Sequence, residues 1–211
     1  MTAVNTMVPA TESSPAISYR CLIVEDETLV GLGLQSQLES LGHRVIGNAA
    51  DAEQAERFFR NDQPDLVLTD IRLGDGDGLD LAKRLLTIRA CPIVIISAFS
   101  DKELIDRATA AGVFGYLIKP VSAASLAAQI EISVVRFREH LVLRAENLTL
   151  SQNLENRKLI ERAKGILMTR FKLSEPDAHR RLQQESQRRR ISAGELARKI
   201  VESEDLLDGL F

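Results

Sequence analysis

Between residues 20 and 120, five short apolar runs alternate with longer stretches of helical periodicity. The runs are CLIVE (21–25), HRVIGNA (43–49), DLVLTD (65–70), PIVIIS (92–97) and VFGYLIK (113–119). After the first, Leu29, Leu32, Leu34, Leu38 and Leu41 recur at near-helical steps and stop at Gly42. DAEQAERFFRND opens on Asp51, GLDLAKRLLTIR follows the third run, and DKELIDRATAAG closes at Gly112. A strand that is followed by a helix re-enters the sheet from the same end, so its neighbours run parallel. The strands are apolar on both faces, as a sheet covered on both sides requires. The pattern predicts an α/β fold, a doubly wound five-stranded parallel sheet.

In such sheets, ligands bind beyond the carboxyl ends of the strands, where the strand order reverses. The residues at those ends are Glu25 and Asp26, then Asp70, then Ser97, then Lys119 followed by Pro120. A carboxylate at the tip of a strand as apolar as Leu66-Val67-Leu68 is poorly placed for stability. Alone, Glu25 and Asp26 read equally as the cap and first turn of the next helix. Together the set predicts a polar site of three carboxylates, one hydroxyl and one ammonium. Clustered carboxylates need a cation, and oxygen donors with room for water suit Mg²⁺. A carboxylate beside that ion acts as a nucleophile toward a phosphoryl group. Asp75 and Asp77 resemble calcium-loop residues, but Leu79 stands at the next ligand position, so they read as a solvated turn. An X–Pro bond tolerates the cis form, which at Lys119-Pro120 would aim the ammonium inward.

Charge divides the chain. Residues 1–150 carry 14 basic and 20 acidic side chains, whereas residues 151–200 carry 13 and 6. An acidic front and a basic back suggest two jobs, the second on an anionic partner. Cys21 and Cys91 flank strands and read as buried free thiols, consistent with the cytoplasm. His43, His140 and His179 form no metal-ligand spacing. Residues 1–18 have the composition of a disordered tail and not of a signal peptide. No apolar run approaches the roughly 18 residues needed to cross a bilayer, so no membrane partner is expected.

Residues 20–135 resemble the receiver domain of two-component response regulators. The motifs are IVEDE (23–27), LVLTDIRLGDGDG (66–78), IISAFS (95–100) and GYLIKP (115–120). The resemblance implies a flavodoxin-like fold, phosphorylation of Asp70 by a sensor histidine kinase, and Mg²⁺ held by Glu25, Asp26, Asp70 and the Arg72 carbonyl. It also implies Ser97 as switch hydroxyl, Ala98 as its small neighbour, Tyr116 as switch aromatic, and Lys119 as the cation on the phosphoryl group. The family often has Met-Pro where this chain has Leu73-Gly74, a departure that predicts a looser loop.

After Pro120 comes a stretch from Ser122 to Leu159 with neither Gly nor Pro. Ala127, Ile130, Val134, Phe137, Leu141 and Leu148 follow steps of three and four, interrupted at Arg144 and Ser151, and predict a coiled-coil dimer seam, the alternative being one long helix packed on its own domain. Three helices of about 12–13 residues are expected beyond it. Ser174 with Asp177 and Ser192 with Glu195 mark two of their starts. Ala163, Leu167, Ala178, Leu182, Leu196, Ala197 and Ile200 supply a small core.

Residues 155–203 resemble the ANTAR domain, through ERAKGILMTRFKLSEPDAHRRL and the later ELARKIV. The family commonly has an aromatic at His179 and a small residue at Glu185. The resemblance implies RNA hairpins in nascent leader transcripts as partners, and transcription antitermination as output. Candidate RNA contacts are Arg157, Lys158, Arg162, Lys164, Arg170, Lys172, Arg189 and Arg190, as phosphate-dominated binding requires. Phe171 is the only aromatic from 151 to 200.

The expected organisation is a tail (1–18), a receiver (19–135), a helical coiled-coil linker (136–156), an RNA-binding three-helix domain (157–204) and a short tail (205–211). No catalytic set remains outside the receiver, so no enzymatic output is expected beyond slow self-dephosphorylation. The rival readings are a phosphorylation-dependent protein-interaction regulator and a DNA-binding transcription factor.

Overall fold

The computed structural model describes residues 17–74, 76–99 and 102–208. Most of the N-terminal tail, Asp75 and the last three residues of the chain lie outside them. The chain divides into two compact units between His140 and Leu141.

The first unit alternates as the sequence predicts: β1 (Arg20–Val24), α1 (Thr28–Ser40), β2 (Arg44–Ala49), α2 (Ala52–Asp62), β3 (Leu66–Asp70), α3 (Gly78–Ile88), β6 (Ile93–Ser97), α4 (Lys102–Ala110) and β7 (Gly115–Ile118). Between β3 and α3 sits a small antiparallel pair, β4 (Arg72–Leu73) and β5 (Gly76–Asp77), which the sequence does not announce. The main sheet has the order β2-β1-β3-β6-β7, all parallel. Period-two alternation sorts its side chains. Cys21, Ile23, Leu66 and Leu68 face α1 and the start of α5 (Ala123–Phe171), whereas Leu22, Val24 and Val67 face α2 and α3.

Local chemistry sets the helix ends. Asp51 caps α2 by accepting the Gln54 N–H at 2.7 Å. Gly42 and Gly112, at φ +86° and +79°, take up the left-handed turns that follow α1 and α4. The Lys119–Pro120 bond is cis.

Helix α5 runs from Ala123 to Phe171 as one element of 49 residues, so the first of the three expected short helices is its last stretch. Two further helices follow, α6 (Glu175–Arg189) and α7 (Ala193–Asp208), each longer than the sequence suggests. Ser174 accepts the Asp177 N–H, and Ser192 accepts the Glu195 N–H at 3.1 Å. Helix α7 extends beyond residue 204 into the expected tail.

The second unit closes around Ala163, Leu182, Leu196, Ala197 and Val201. Two expectations need correcting. Ile130 and Val134, placed on a dimer seam by their spacing, belong to the core of the first unit, and Phe137 meets Phe114 edge-on at 5.2 Å. The regular step reports packing of α5 on its own sheet. Lys164, assigned to the basic surface, is only 7% exposed and is held by Glu161 and Glu175 at 2.9 and 2.8 Å.

Candidate functional site: an acidic cleft at the sheet edge

Parallel register brings the strand ends level: Val24 pairs with Thr69, Asp70 with Ile96, and Ser97 with Ile118. Glu25, Asp70, Ser97 and Lys119 therefore gather at one edge although up to 94 residues separate them. Lys119 Nζ lies 2.5 Å from Asp70 Oδ2 and 2.9 Å from Glu25 Oε2. Asp70 Oδ1 accepts the Arg72 backbone N–H at 3.0 Å. Asp26 Oδ2 accepts the Gly74 N–H at 3.0 Å, across the loop. Asp26, Glu27, Asp70, Arg72, Phe99 and Lys119 line a cleft of about 310 Å³.

Burial sets the electrostatics. Glu25 is 2% exposed and Asp70 9%. Desolvation pushes the Glu25 carboxyl up, opposed by its bond to Lys119 and reinforced by the charge of Asp70. Burial alone would lower the Lys119 ammonium, but its bonds to Asp70 and Glu25 carry it above its ordinary value. Among the described residues, the carboxylates do not close into a three-ligand metal cage. Lys119 stands between Glu25 and Asp70 instead. Glu25, Asp26 and Asp70 still bring three negative charges against one ammonium, and the donors are all hard oxygens. That charge surplus and that donor type fit a divalent cation such as Mg²⁺, which needs only one or two carboxylates.

A chain of contacts leads away from Asp70. The Arg72 guanidinium lies over the Phe99 ring, 4.8 Å from its centroid. Phe99 donates its N–H to Ser97 Oγ at 3.1 Å, and its carbonyl accepts the Tyr116 hydroxyl at 2.5 Å. Phe99 thus ties the loop after Asp70 to Ser97 and Tyr116, and nothing in its sequence position signals this.

In the loop after Asp70, Leu73 and Gly74 each make a contact, and Asp75 lies outside the described residues. Gly74 adopts φ +56° and engages Asp26. Leu73 is buried. Asp77 caps α3 through the Leu79 N–H and takes Arg107 of α4 at 2.6 Å, so it is not merely a solvated turn residue.

The sequence matches the response regulator receiver domain family over residues 21–131 and the ANTAR domain family over residues 148–201. The chain is a response regulator with an ANTAR output domain. It is 40% identical to the transcriptional regulatory protein PdtaR of Mycobacterium tuberculosis over 92% of this chain and 95% of that one. Among solved structures, the receiver domain of a modulated diguanylate cyclase from Desulfovibrio desulfuricans is similar at 38% identity and a TM-score of 0.54, covering 59% of this chain and 99% of that one. A LuxR-family response regulator from an Aurantimonas species has 28% identity and a TM-score of 0.54, over 56% and 86% of the two chains. No helix among the described residues is long and apolar enough to cross a membrane.

In this response regulator, most basic side chains of the ANTAR unit have acidic partners. Arg162 meets Asp205 at 2.5 Å, Arg170 meets Glu204 at 2.8 Å, and Lys158 meets Glu155 at 2.9 Å. Arg188 and Arg189 share Glu185, which explains a carboxylate where the family commonly has a small residue. Arg157, Lys172 and Arg190 are exposed.

Proposed function

We propose that a histidine kinase phosphorylates Asp70, and that the phosphorylated chain binds RNA hairpins in leader transcripts and favours antitermination. The observation that carries this reading is the pairing of a nearly buried Asp70 with Lys119 at 2.5 Å, at the mouth of a cleft large enough for a phosphoryl group. An Asp70 oxygen attacks phosphorus, the nitrogen–phosphorus bond of the donor phosphohistidine breaks, and its electron pair returns to the imidazole. Asp26, Asp70 and the Arg72 carbonyl, with Glu25 behind them, form the set that would hold Mg²⁺. When bound, that ion supplies charge neutralisation on the transferred group. Lys119 shifts its bond from the carboxylate to a phosphoryl oxygen.

The product carries about −1.5 to −2 charges on its phosphoryl group in place of the single carboxylate charge of Asp70. Ser97 Oγ turns toward it and gives up the Phe99 N–H. Phe99 then moves, and its carbonyl carries the Tyr116 hydroxyl with it. Helix α5 is the covalent path onward, because it begins after β7 and ends in the ANTAR unit.

On this reading α5 also supplies the surface for a homodimer. With Ile130 and Val134 engaged in the receiver core, the stripe left outward is Leu143, Leu150 and Leu154, each more than half exposed. Asn147 interrupts it at an a-type position. In a parallel pair two such asparagines face one another and satisfy their amides mutually.

The test is direct. Full-length protein is incubated with acetyl phosphate and Mg²⁺, and then with hairpin RNA or duplex DNA in a mobility-shift assay. Phosphorylation is expected to raise hairpin affinity and leave duplex DNA unbound. Asp70→Asn is expected to lose both the label and the stimulation. Equal hairpin binding with and without label would overturn the coupling.

A further inference from the structure

A groove of the ANTAR unit lies between the end of α5, α6 and α7, with a volume of about 490 Å³. That size falls in the range of small-ligand pockets. Its floor is apolar, built from Ile166, Leu167, Leu182, Leu196 and Ile200. Its rim is cationic, with Arg170, Arg181, Arg188, Arg189 and Lys199 against Glu185 and Glu204, and Glu195 holds Lys199 at 3.2 Å. At its edge stands Phe171, 63% exposed. A large aromatic on a small helical unit is normally the first side chain to be buried. Here smaller aliphatic residues fill the core, and the ring faces solvent.

We infer that this groove receives an unstacked nucleobase from a single-stranded RNA loop, with the base against Phe171 and the apolar floor and the flanking phosphates on the arginine rim. The inference rests on the RNA-binding reading above and names the site within it. Three features select this occupant over a protein partner. The net charge of the rim is positive, as a polyanion requires. The cations stand around an apolar floor, the pairing of charge and π-surface that single-stranded nucleic acid uses. Arg188 and Arg189 share one carboxylate, and Arg181 has no acidic partner among the described residues, so phosphate can enter without stripping a full set of ion pairs.

The groove also revises the list of basic contacts. Lys164 is buried and bound to two glutamates, and it leaves the RNA surface. Arg181 and Lys199, which sequence reading did not single out, join it.

The test uses the full-length phosphorylated chain and a pool of RNA hairpins with one fixed stem and a randomised loop. Selected hairpins are remade with 2-aminopurine at each loop purine in turn. One position is expected to show a fluorescence change on binding that Phe171→Ala removes. Phe171→Ala should weaken hairpin binding about tenfold, the scale of one lost base–aromatic stack, with its salt slope unchanged. Phe171→Trp should restore it. Arg181→Gln should lower the slope of log affinity against log salt by about one unit. Phe171 is exposed, so a lower melting temperature in Phe171→Ala is not expected. If hairpins are selected and bind but Phe171→Ala and every 2-aminopurine position are silent, the groove assignment falls and RNA binding stands. If no hairpin is selected, the RNA reading fails, and this assignment fails with it. If the Phe171 variants instead abolish self-association while hairpin affinity holds, the groove is a protein surface.

Discussion

A side chain on Gly78 would overlap the carbonyl oxygen of Asp70, so the first residue of α3 lies directly against the Asp70 peptide. The Gly78 N–H also donates to the Ile71 carbonyl at 2.8 Å. Gly78→Ala is expected to push this backbone apart, at a cost of about 1–3 kcal/mol for overpacking. Labelling by acetyl phosphate should slow at least several-fold, while Gly33→Ala, where a methyl group meets open space, should match the parent. Chemical denaturation and a labelling time course measure the two effects.

Lys119 neutralises two carboxylates that hardly touch water. Lys119→Ala leaves Glu25 and Asp70 facing each other and should destabilise the receiver by about 3 kcal/mol, the low end for breaking a buried pair. Mg²⁺ supplies the missing charge, so it should raise the melting temperature of the variant more than that of the parent. Thermal melts with Mg²⁺ and with EDTA give the comparison. An equal shift in both proteins would argue against a cation site beside Asp70.

Tyr116→Phe removes the hydroxyl that holds the Phe99 carbonyl at 2.5 Å and leaves the cleft itself intact. The expected result is a labelling rate within twofold of the parent and a loss of most of the stimulation of hairpin binding. Phe99→Ala removes in addition the ring under Arg72 and opens the cleft to water. Its phosphorylated form should decay several-fold faster, which loss of label over time would show.

Leu150→Asp places a charge at the centre of the outward stripe on α5. If Leu143, Leu150 and Leu154 pair two copies, the variant should remain monomeric by analytical ultracentrifugation after phosphorylation. Asn147→Leu should strengthen association and relax its stoichiometry. Leu141→Asp lies off this stripe and is the control.

Cys21 and Cys91 are both fully buried, and desolvation pushes each thiol up to about 12. The folded state therefore keeps its thiol protons where the unfolded chain, near 9.0, loses them. This contribution to stability is complete below pH 9 and is lost as pH rises through 12. Native protein at pH 8 should resist iodoacetamide and take up two alkyl groups only after unfolding, as intact-mass measurement will report.

Much of this molecule is written in local chemistry. The alternation of apolar runs with helical stretches fixes the parallel sheet, because a strand followed by a helix has to return from the same side. Asp51, Ser174 and Ser192 mark helix starts because a side-chain oxygen satisfies the first free N–H groups whatever packs around it. Glu25, Asp26, Asp70, Ser97 and Lys119 could be collected as one site from their positions at strand ends, since register alone brings those ends together. What the chain order could not reveal depends on neighbours distant in sequence. The three- and four-residue steps through Ile130 and Val134 describe an apolar face and not its partner, and only the folded receiver shows that face to be covered from within. Lys164 and Arg181 carry the same charge, yet one is sunk between two glutamates and the other stands at the lip of a groove. Phe99 acquires its place because Arg72 and Tyr116, from separate segments, converge on it beside Ser97 of its own strand end. Composition and period set which surfaces are apolar or charged. Which surface meets which is a sum over long-range contacts, and that is settled only when the chain has closed on itself.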